Sequence, residues 1–329
     1  MLLRILLPRS VCAAVAACLM APLLAWAQPS SADEPPADCA SRYPALVATP
    51  DSPARDRGFL WRISKGGHTS YLYGTMHIGK PEWARPGPQT QAALDASQQL
   101  ALEMDAVPAT IQALVAGLAR RPDQMLAPPL EARLRQAAAQ ACLPPALSDM
   151  FAPEMQVTML AIGMLRADGY SGDWGADVQL AAIAHARAMP VVGLETPQDQ
   201  VRLLLAANAE ERNEGVQEQL DDMASGKVRR ITLRMVRMWD ESDHATLQAY
   251  KDWCECAPAN DRERRTMKAL LDDRNLSMAK AIDRLHGQGK AVFAAVGSLH
   301  MVGPAGIPAW MARHGYRVQR VAFGSAGKN

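Results

Sequence analysis

The sequence predicts an α/β fold with a central mixed sheet that is flanked by helices and carries helical insertions. Short apolar runs typical of buried strands recur along the chain, and between them apolar residues follow the three- and four-residue spacing of helices. Strands that alternate with helices are typical of α/β domains. With 49% hydrophobic and 21% charged residues, the composition also favours a globular domain over a disordered or membrane-embedded chain.

The N-terminus has the features of a secretory signal peptide over residues 1–27. Two arginines supply the positive region, the apolar stretch Val11–Ala25 follows, and small residues flank position 26. We therefore expect cleavage after Ala27 and a periplasmic or secreted protein with no membrane span after cleavage. Two alternatives remain open: a lipoprotein processed at Cys18, and an uncleaved membrane anchor.

A stretch rich in Pro, Ser, Ala and Asp follows at residues 28–57 and is typical of a linker ahead of the folded unit at 58–324. Four cysteines remain after signal removal, and an even number in an exported chain favours disulfides. Four cysteines allow three connectivities. The pairing we favour is Cys39–Cys142 and Cys254–Cys256, with the Cys39 segment otherwise loosely held.

A β-hairpin is the first folded element that the sequence predicts. Phe59–Ile63 and Thr69–Gly74 are strand-like runs, and two adjacent glycines between them suit a tight turn. A third strand at Leu100–Met104 carries Glu103 close to its end. Helical spacing punctuated by prolines then predicts a helical insertion at about 106–168.

The second half begins with a glycine-rich loop, Gly169–Gly175, after which Asp177 is suited to cap a helix. A compact apolar run beyond that helix predicts a buried strand that ends in Glu195. The elements expected in order are a helix at Val178–Met189, a strand at Pro190–Glu195, a helical insertion at about 200–285, a strand at Lys290–Val296, a helix at Gly306–His314 and a strand at Tyr316–Ala322.

Two of the predicted strands end in the same short pattern of Gly, a small hydroxyl residue, an apolar residue and His. The first copy is Gly74–His77 and the second is Gly297–His300, far apart in the chain. In open α/β sheets, ligands gather at the carboxyl ends of the strands. His77 and His300 are therefore the first candidates for a functional site.

Two carboxylates, Glu103 and Glu195, also follow predicted strands. Two imidazoles and a carboxylate can bind a divalent ion and leave positions open for water, and a remaining glutamate can serve as a general base. Taken singly, each histidine or glutamate is also compatible with a purely structural hydrogen bond or ion pair. The residue types therefore predict a metal site without deciding which glutamate belongs to it.

Arg274 and Asn275 form a further candidate pair within a helical stretch. Arginine offers a rigid fork for a carboxylate or an oxyanion, and asparagine can orient a neighbour. An ordinary charged helix face is the alternative interpretation of these residues.

Other classes of function lack their signatures in this sequence. There is no G-x-S-x-G, P-loop or H-E-x-x-H motif, which argues against the commonest hydrolases, NTPases and metalloproteases. The net charge is +1 and no basic stripe is interleaved with aromatic residues, so nucleic acid is not an expected partner.

Taken in order, these motifs resemble the TraB/GumN family (TraB/PrgY/GumN). The resemblance covers about residues 58–323 and implies a fold like that of the Tiki metal-dependent proteases and, more remotely, of the erythromycin esterase-like (EreA) and ChaN-like haem-binding proteins. The segments that carry it are Phe59–Ile63, Tyr71–His77, Leu102–Glu103, Val191–Thr196, Arg274–Asn275 and Val296–His300 with Gly303.

The resemblance also implies roles for the candidate residues. The implied metal ligands are His77, His300 and Glu103, and the implied catalytic residues are Glu103, Arg274, Asn275 and Glu195. Manganese, cobalt and zinc all suit such a donor set. The expected function is that of a periplasmic metal-dependent hydrolase, a peptidase with a peptide or protein substrate. The alternatives are a non-catalytic protein of the same fold that binds a peptide or haem, and a structural partner in export or polysaccharide machinery.

Overall fold

Six strands form one mixed sheet, on which the rest of the chain is built. The computed structural model describes residues 38–43, 45–47, 53–258, 264 and 267–323, so the expected signal peptide and much of the expected linker lie outside the described residues. The strands are β1 Phe59–Lys65, β2 His68–Thr75, β3 Gln99–Leu102, β4 Val191–Gly193, β5 Val292–Gly297 and β6 Arg317–Val321. Their order across the sheet is β4-β3-β5-β2-β1-β6.

Helices surround this sheet, as the sequence predicts. The α-helices of the described residues are α1 Cys39–Arg42, α2 Pro88–Asp95, α3 Pro108–Leu118, α4 Pro128–Gln140, α5 Pro145–Met150, α6 Pro153–Gly163, α7 Ala176–Ala186, α8 Pro197–Leu204, α9 Ala209–Ala224, α10 Lys227–Asp240, α11 His244–Gln248, α12 Tyr250–Trp253, α13 Arg274–Gly287 and α14 Ile307–Arg313. A π-helical turn, Lys268–Asp273, leads directly into α13. The predicted α/β class with a central mixed sheet is confirmed.

Parallel pairing in the middle of the sheet decides where the functional residues meet. β5 lies between β2 and β3 and is parallel to both, and β4 adds in parallel to the outer side of β3. All six residues of β5 are buried, as expected for a central strand covered on both faces. The carboxyl ends of these four strands therefore lie along the same edge of the sheet.

The antiparallel half of the sheet starts with the predicted hairpin. β1 pairs with β2 and with β6, both antiparallel. Gly66 and Gly67 form the turn between β1 and β2 with φ of +62° and +83°. A two-residue turn with two positive φ angles matches the twist of a hairpin and favours glycine at both positions.

Two sequence-based expectations about this region need correction. The strand predicted as buried at Pro190–Glu195 is the shorter β4, whose residues are half-buried or exposed because it lies at the sheet edge and pairs only with β3. The helix predicted from Val178 begins at Ala176, with Gly175 at its N-cap. Asp177 therefore lies inside the first turn and does not cap the helix.

The helices of the two expected insertions pack on one another in part. A second hydrophobic cluster, separate from the main core, joins α4, α6 and α9 through residues such as Leu134, Val157 and Val216. Within the described residues, no helix combines the length and apolar character needed to cross a membrane.

Both favoured cysteine pairs are present in the structure. Cys39 is bonded to Cys142 across 103 residues, and Cys254 is bonded to Cys256. Cys39 lies in α1 and only 5% of it is exposed, so the expectation of a loosely held Cys39 segment is wrong. The disulfide holds α1 against the C-terminal end of α4.

Candidate functional site

All six candidate residues from the sequence lie together at the carboxyl edge of the parallel strands. Four of these residues each follow the end of one strand, and the other two lie at the start of α13. The six are His77 after β2, Glu103 after β3, Glu195 after β4, His300 after β5, and Arg274 and Asn275 in the first turn of α13.

Glu103 lies at the centre of the group and is 5% exposed. Its Oε1 accepts a hydrogen bond from the backbone N–H of Gly297 at 2.7 Å, and its Oε2 accepts one from Nη2 of Arg274 at 2.8 Å. The same Oε1 is 3.8 Å from Nε2 of His77 and 3.7 Å from Nε2 of His300. One carboxylate oxygen therefore faces both imidazoles.

The two Gly-x-x-His motifs contact each other directly. The Ser298 hydroxyl of the second motif donates a hydrogen bond to the carbonyl of Thr75 in the first, at 2.8 Å. A Cβ on Gly74 would lie 3.1 Å from Oγ of Ser298, so the small residue allows the two strand ends to approach. The sequence repeat thus corresponds to one composite structure across β2 and β5.

Glycine at position 297 leaves room for the site itself. A Cβ there would lie 3.2 Å from both Oε1 of Glu103 and Nε2 of His77, and 3.5 Å from Cδ2 of His300. The φ of Gly297 is −50°, which any residue can adopt, so the requirement is for space and not for backbone freedom.

The second nitrogen of each imidazole has its own acceptor. Nδ1 of His300 is 2.7 Å from Oδ1 of Asn275, and Nδ1 of His77 is 3.3 Å from Oδ1 of Asp177. An acceptor at Nδ1 places the ring proton there and leaves the Nε2 lone pair directed toward Glu103. The arrangement is the one that metal-ligating histidines adopt.

Asp177 is a site residue that the sequence analysis missed, because its position before a helical pattern suggested a cap. The start of α7 packs closely on the backbone around His77: the N–H of Ala176 donates to the carbonyl of Met76 at 2.8 Å. A Cβ on Gly175 would lie 2.5 Å from the carbonyl oxygen of His77. A glycine two residues before an acidic residue at a helix start was the available signal, but nothing in the spacing connects it to His77.

Arg274 joins the carboxylates of the site. Its Nε and Nη2 donate to the two oxygens of Glu195 at 2.7 and 2.6 Å, and its Nη1 is 3.3 Å from Nε2 of His300. Gln200 in α8, which the sequence analysis also missed, donates through Nε2 to Glu195 at 2.5 Å. The backbone N–H of Glu195 in turn donates to the carbonyl of Glu103 at 2.8 Å, which keeps the two glutamates side by side.

A comparison with protein families finds one match. The model of the TraB/PrgY/gumN family matches residues 59–320, which include β1 to β5, β6 up to its last residue but one, and all six candidate residues. The chain belongs to the TraB/PrgY/gumN family. No curated protein and no solved structure matches the chain.

The electrostatics of this TraB/PrgY/gumN site shift the pKa values of the two glutamates in opposite directions. Burial alone would raise the pKa of Glu103, but Arg274 and then the two imidazoles outweigh it and hold that pKa well below its usual value. Burial raises the pKa of Glu195, and the charge of Glu103 adds to the rise despite the ion pair with Arg274. Glu103 is therefore the permanently ionised carboxylate, and Glu195 is the one that takes up a proton more readily.

The pKa values of the two histidines are also shifted in opposite directions. Burial, and next the positive charge of Arg274, lower the pKa of His300 to about 3, so this imidazole is neutral. Burial also acts to lower the pKa of His77, but the charge and hydrogen bond of Asp177 outweigh it and raise that pKa above its ordinary value. The pair thus consists of one strictly neutral imidazole and one basic imidazole.

Two distances between donor atoms of the site can be compared with the spacing in a metal centre. Among the described residues, no group of three or more His, Cys, Asp or Glu side chains is already placed to hold a metal ion. Ligands of a tetrahedral zinc site lie about 3.4 Å apart, and Oε1 of Glu103 is 3.7 and 3.8 Å from the two Nε2 atoms. Both distances exceed that spacing by a few tenths of an ångström, and Nη1 of Arg274 also lies 3.3 Å from Nε2 of His300.

Proposed function

We propose that this member of the TraB/PrgY/gumN family is a metal-dependent hydrolase that cleaves peptides. The observation that carries the proposal is the convergence of Nε2 of His77, Nε2 of His300 and Oε1 of Glu103, with both Nδ1 atoms held by acceptors. His77, His300 and Glu103 would hold the ion, and manganese, cobalt and zinc all suit these donors. A bound ion of this kind polarises a carbonyl and lowers the pKa of water.

Arg274 is suited to bind the substrate oxygen on which negative charge develops. Its Nε and Nη2 are held by Glu195 and Glu103, while Nη1 makes only the longer contact with His300. Nη1 is therefore the nitrogen that can donate to a substrate carbonyl oxygen or carboxylate that approaches it, while Nε and Nη2 keep their hydrogen bonds. A fixed positive charge in a buried site stabilises an oxyanion strongly, because water does not screen it.

Glu195 is suited to transfer a proton. Its side chain is 5% exposed, and burial raises its pKa above the ordinary value, which favours proton uptake by a general acid or base. Gln200 and Arg274 fix its position. Asn275 acts on His300, whose ring orientation it holds through Nδ1.

Metal binding tests the proposal first. We expect one tightly bound divalent ion per chain, lost or weakened at least 100-fold in both His77→Ala and His300→Ala. His185→Ala is the matched control, because His185 pairs with Asp105 and is half exposed. Metal content and affinity of the purified protein and its variants, after addition of manganese, cobalt or zinc, provide the measurement.

Failure of every preparation to bind any of the three ions would overturn the hydrolase proposal and leave the peptide- or haem-binding alternative. The cavity beside His77 and Glu103 measures about 30 Å³, so the structure offers no observation in favour of haem at this place. If the metal is bound, a peptide library analysed by mass spectrometry tests cleavage, and Glu103→Gln should abolish it.

We also propose that the protein acts in the periplasm. The signal-like features of residues 1–27 and the two disulfides suit an exported protein in an oxidising compartment. N-terminal sequencing of the protein from a periplasmic extract should start at Gln28. Recovery of the unprocessed chain from the cytosol would contradict the proposal.

A further inference from the structure

The outer side of α10 carries four exposed arginines, although the chain as a whole has a net charge of only +1. The four line one surface groove together with the half-buried Leu233, and they are Arg229, Arg230, Arg234 and Arg237. Residues three or four positions apart lie on the same side of a helix, so Arg230, Arg234 and Arg237 form a row along α10. The row concentrates positive charge on one side of a nearly neutral protein.

The arginines of the row are available to an anionic ligand. Arg230 forms an ion pair with the exposed Glu255 at 2.9 Å, and exposed pairs of this kind are weak enough for a ligand to replace. Within the described part of the chain, Arg234 and Arg237 form no ion pair. Two like charges one helical turn apart repel each other, so an anion that contacts both of them would relieve that repulsion.

Arg234 is held in position while its hydrogen-bond donors stay available. Its Cζ lies 4.6 Å from the ring centroid of Trp253, and a guanidinium over an aromatic face can still donate from its edge. The ring is itself fixed, because its Nε1 donates to the carbonyl of Thr246 at 2.9 Å, and Thr246 also lines the groove. A donor that is oriented in advance loses little conformational entropy when a ligand binds.

The surroundings of the row favour a peptide over a membrane or a nucleic acid. The large apolar side chains of α10 between Val228 and Trp239 are buried in the protein, except for the half-buried Leu233, so the helix offers no apolar face to a bilayer. Two carboxylates, Glu241 and Asp243, line the groove just beyond the C-terminal end of α10. They would repel a long continuous polyanion, whereas a short acidic segment can end before them.

We propose that this groove binds a short acidic segment of a partner protein in an extended conformation. About 10.5 Å of helix axis separates Arg230 from Arg237, which is roughly the length of three residues of an extended chain. Carboxylates spaced over such a segment can pair with the row, and an apolar neighbour can contact Leu233. The groove contains none of the six residues of the candidate metal site, so this interaction is a second property of the chain.

Binding of defined peptides tests the groove. The probe is a fluorescein-labelled peptide with four glutamates among glycine and serine residues, and its control peptide carries glutamine at the same positions. Fluorescence anisotropy should show that the glutamate peptide binds at least 10-fold more tightly than the glutamine peptide. Its affinity should fall as the salt concentration rises from about 0.05 to 0.3 M, because salt screens exposed charges. Equal affinity for the two peptides, or no binding at low salt, would overturn the proposal.

Two double variants identify the groove as the binding surface. Arg234→Gln/Arg237→Gln removes two charges from the row and should weaken binding of the glutamate peptide at least 10-fold. Lys280→Gln/Arg284→Gln removes two exposed charges from α13, changes the net charge equally, and should bind like the wild type. Circular dichroism should show that both proteins are folded, since neither pair takes part in an ion pair within the described residues. Equal weakening in both variants would overturn the groove as the site.

Competition identifies the class of partner. Vesicles of anionic phospholipid and a single-stranded oligonucleotide are added to the complex with the labelled peptide, and we expect neither to displace it at matched charge. Displacement by the vesicles would overturn the proposal in favour of a membrane surface, and displacement by the oligonucleotide would do so in favour of a nucleic acid. Metal affinity should be unchanged in Arg234→Gln/Arg237→Gln, so this proposal and the hydrolase proposal fail independently.

Discussion

Glu103 is fixed in place and kept ionised before any ligand arrives, since Gly297 and Arg274 each donate a hydrogen bond to a different oxygen of its carboxylate. The neighbouring rings are fixed in the same manner, each through its Nδ1. Supporting contacts of this kind usually influence metal affinity as much as geometry does. The residues that hold Glu103 and the two imidazoles in position are therefore part of the site, and substitutions can test their contribution to metal affinity.

Replacement of Asp177 tests whether its contact with His77 contributes to metal affinity. We expect Asp177→Ala to weaken metal binding about 10- to 100-fold, because His77 loses the acceptor that holds its ring. Asp177→Asn should recover much of the affinity, since an amide oxygen still accepts a hydrogen bond. Metal titration provides the measurement, and Asp105→Ala, which breaks the half-exposed contact with His185, is the control. Unchanged affinity in Asp177→Ala would contradict a positioning role.

Replacement of Gly297 tests the space requirement. Gly297→Ala should fold, because its φ suits alanine, yet lose metal affinity at least 10-fold, because the new methyl group would lie 3.2 Å from both Glu103 and His77. Gly163→Ala is the control, since a Cβ there would meet nothing within 4 Å. Circular dichroism and metal titration separate misfolding from loss of the site. Normal metal binding by a folded Gly297→Ala protein would show that the site tolerates the methyl group.

Among the secondary-structure elements, α13 connects the two ends of the sheet. It begins at the site with Arg274 and Asn275, and near its other end His286 packs on the hairpin turn. Nε2 of His286 donates to the carbonyl of Lys65 at 3.0 Å, and Nδ1 is 2.8 Å from the hydroxyl of Ser70. Since that hydroxyl oxygen also accepts from the N–H of Val292, the neutral ring satisfies every polar atom in the contact.

This contact should make stability depend on pH. Burial lowers the pKa of His286 in the folded protein, so between that value and the ordinary value of about 6.5 the unfolded chain binds more protons. The contribution of His286 to stability is therefore complete above about pH 6.5 and is lost as the pH falls. We expect His286→Gln to reduce the loss of unfolding free energy between pH 7.5 and 5.5, as measured by urea titration. His314→Gln, an exposed histidine, is the control, and identical pH profiles for wild type and His286→Gln would contradict the prediction.

At the scale of the whole chain, the two disulfides close segments of very different length. The bond between Cys39 and Cys142 closes a segment of 103 residues, whereas that between Cys254 and Cys256 closes one of two. Loss of chain entropy in the unfolded state grows with the length of the closed loop. The long-range link should therefore stabilise the fold more than the local one.

Removal of each disulfide tests this difference. On the chain-entropy estimate, the Cys39→Ser/Cys142→Ser protein should lose about 4.7 kcal/mol of unfolding free energy and the Cys254→Ser/Cys256→Ser protein about 1.2 kcal/mol. Denaturant titration of both variants beside the wild type provides the measurement. An equal loss in the two variants would show that local packing, and not loop closure, accounts for the stabilisation.

Much of the candidate site could be predicted before the structure. His77, His300, Glu103 and Glu195 follow strands with clear apolar patterns, and position after a strand is a local property of the sequence. Asp177 and Gln200 could not be identified, because their roles depend on contacts with His77 and Glu195 that arise only when α7 and α8 pack on the sheet.

The amino-acid pattern therefore determines the class of the fold, the position of each strand and the two repeated motifs, because burial and backbone period act over a few residues. The order of the strands in the sheet does not follow from these local patterns. Only tertiary pairing places β5 between β2 and β3, and so brings Ser298 against Thr75 and Glu103 between two imidazoles. The edge position of β4 and the cavity behind the site have the same origin, since both depend on which distant segments pack together.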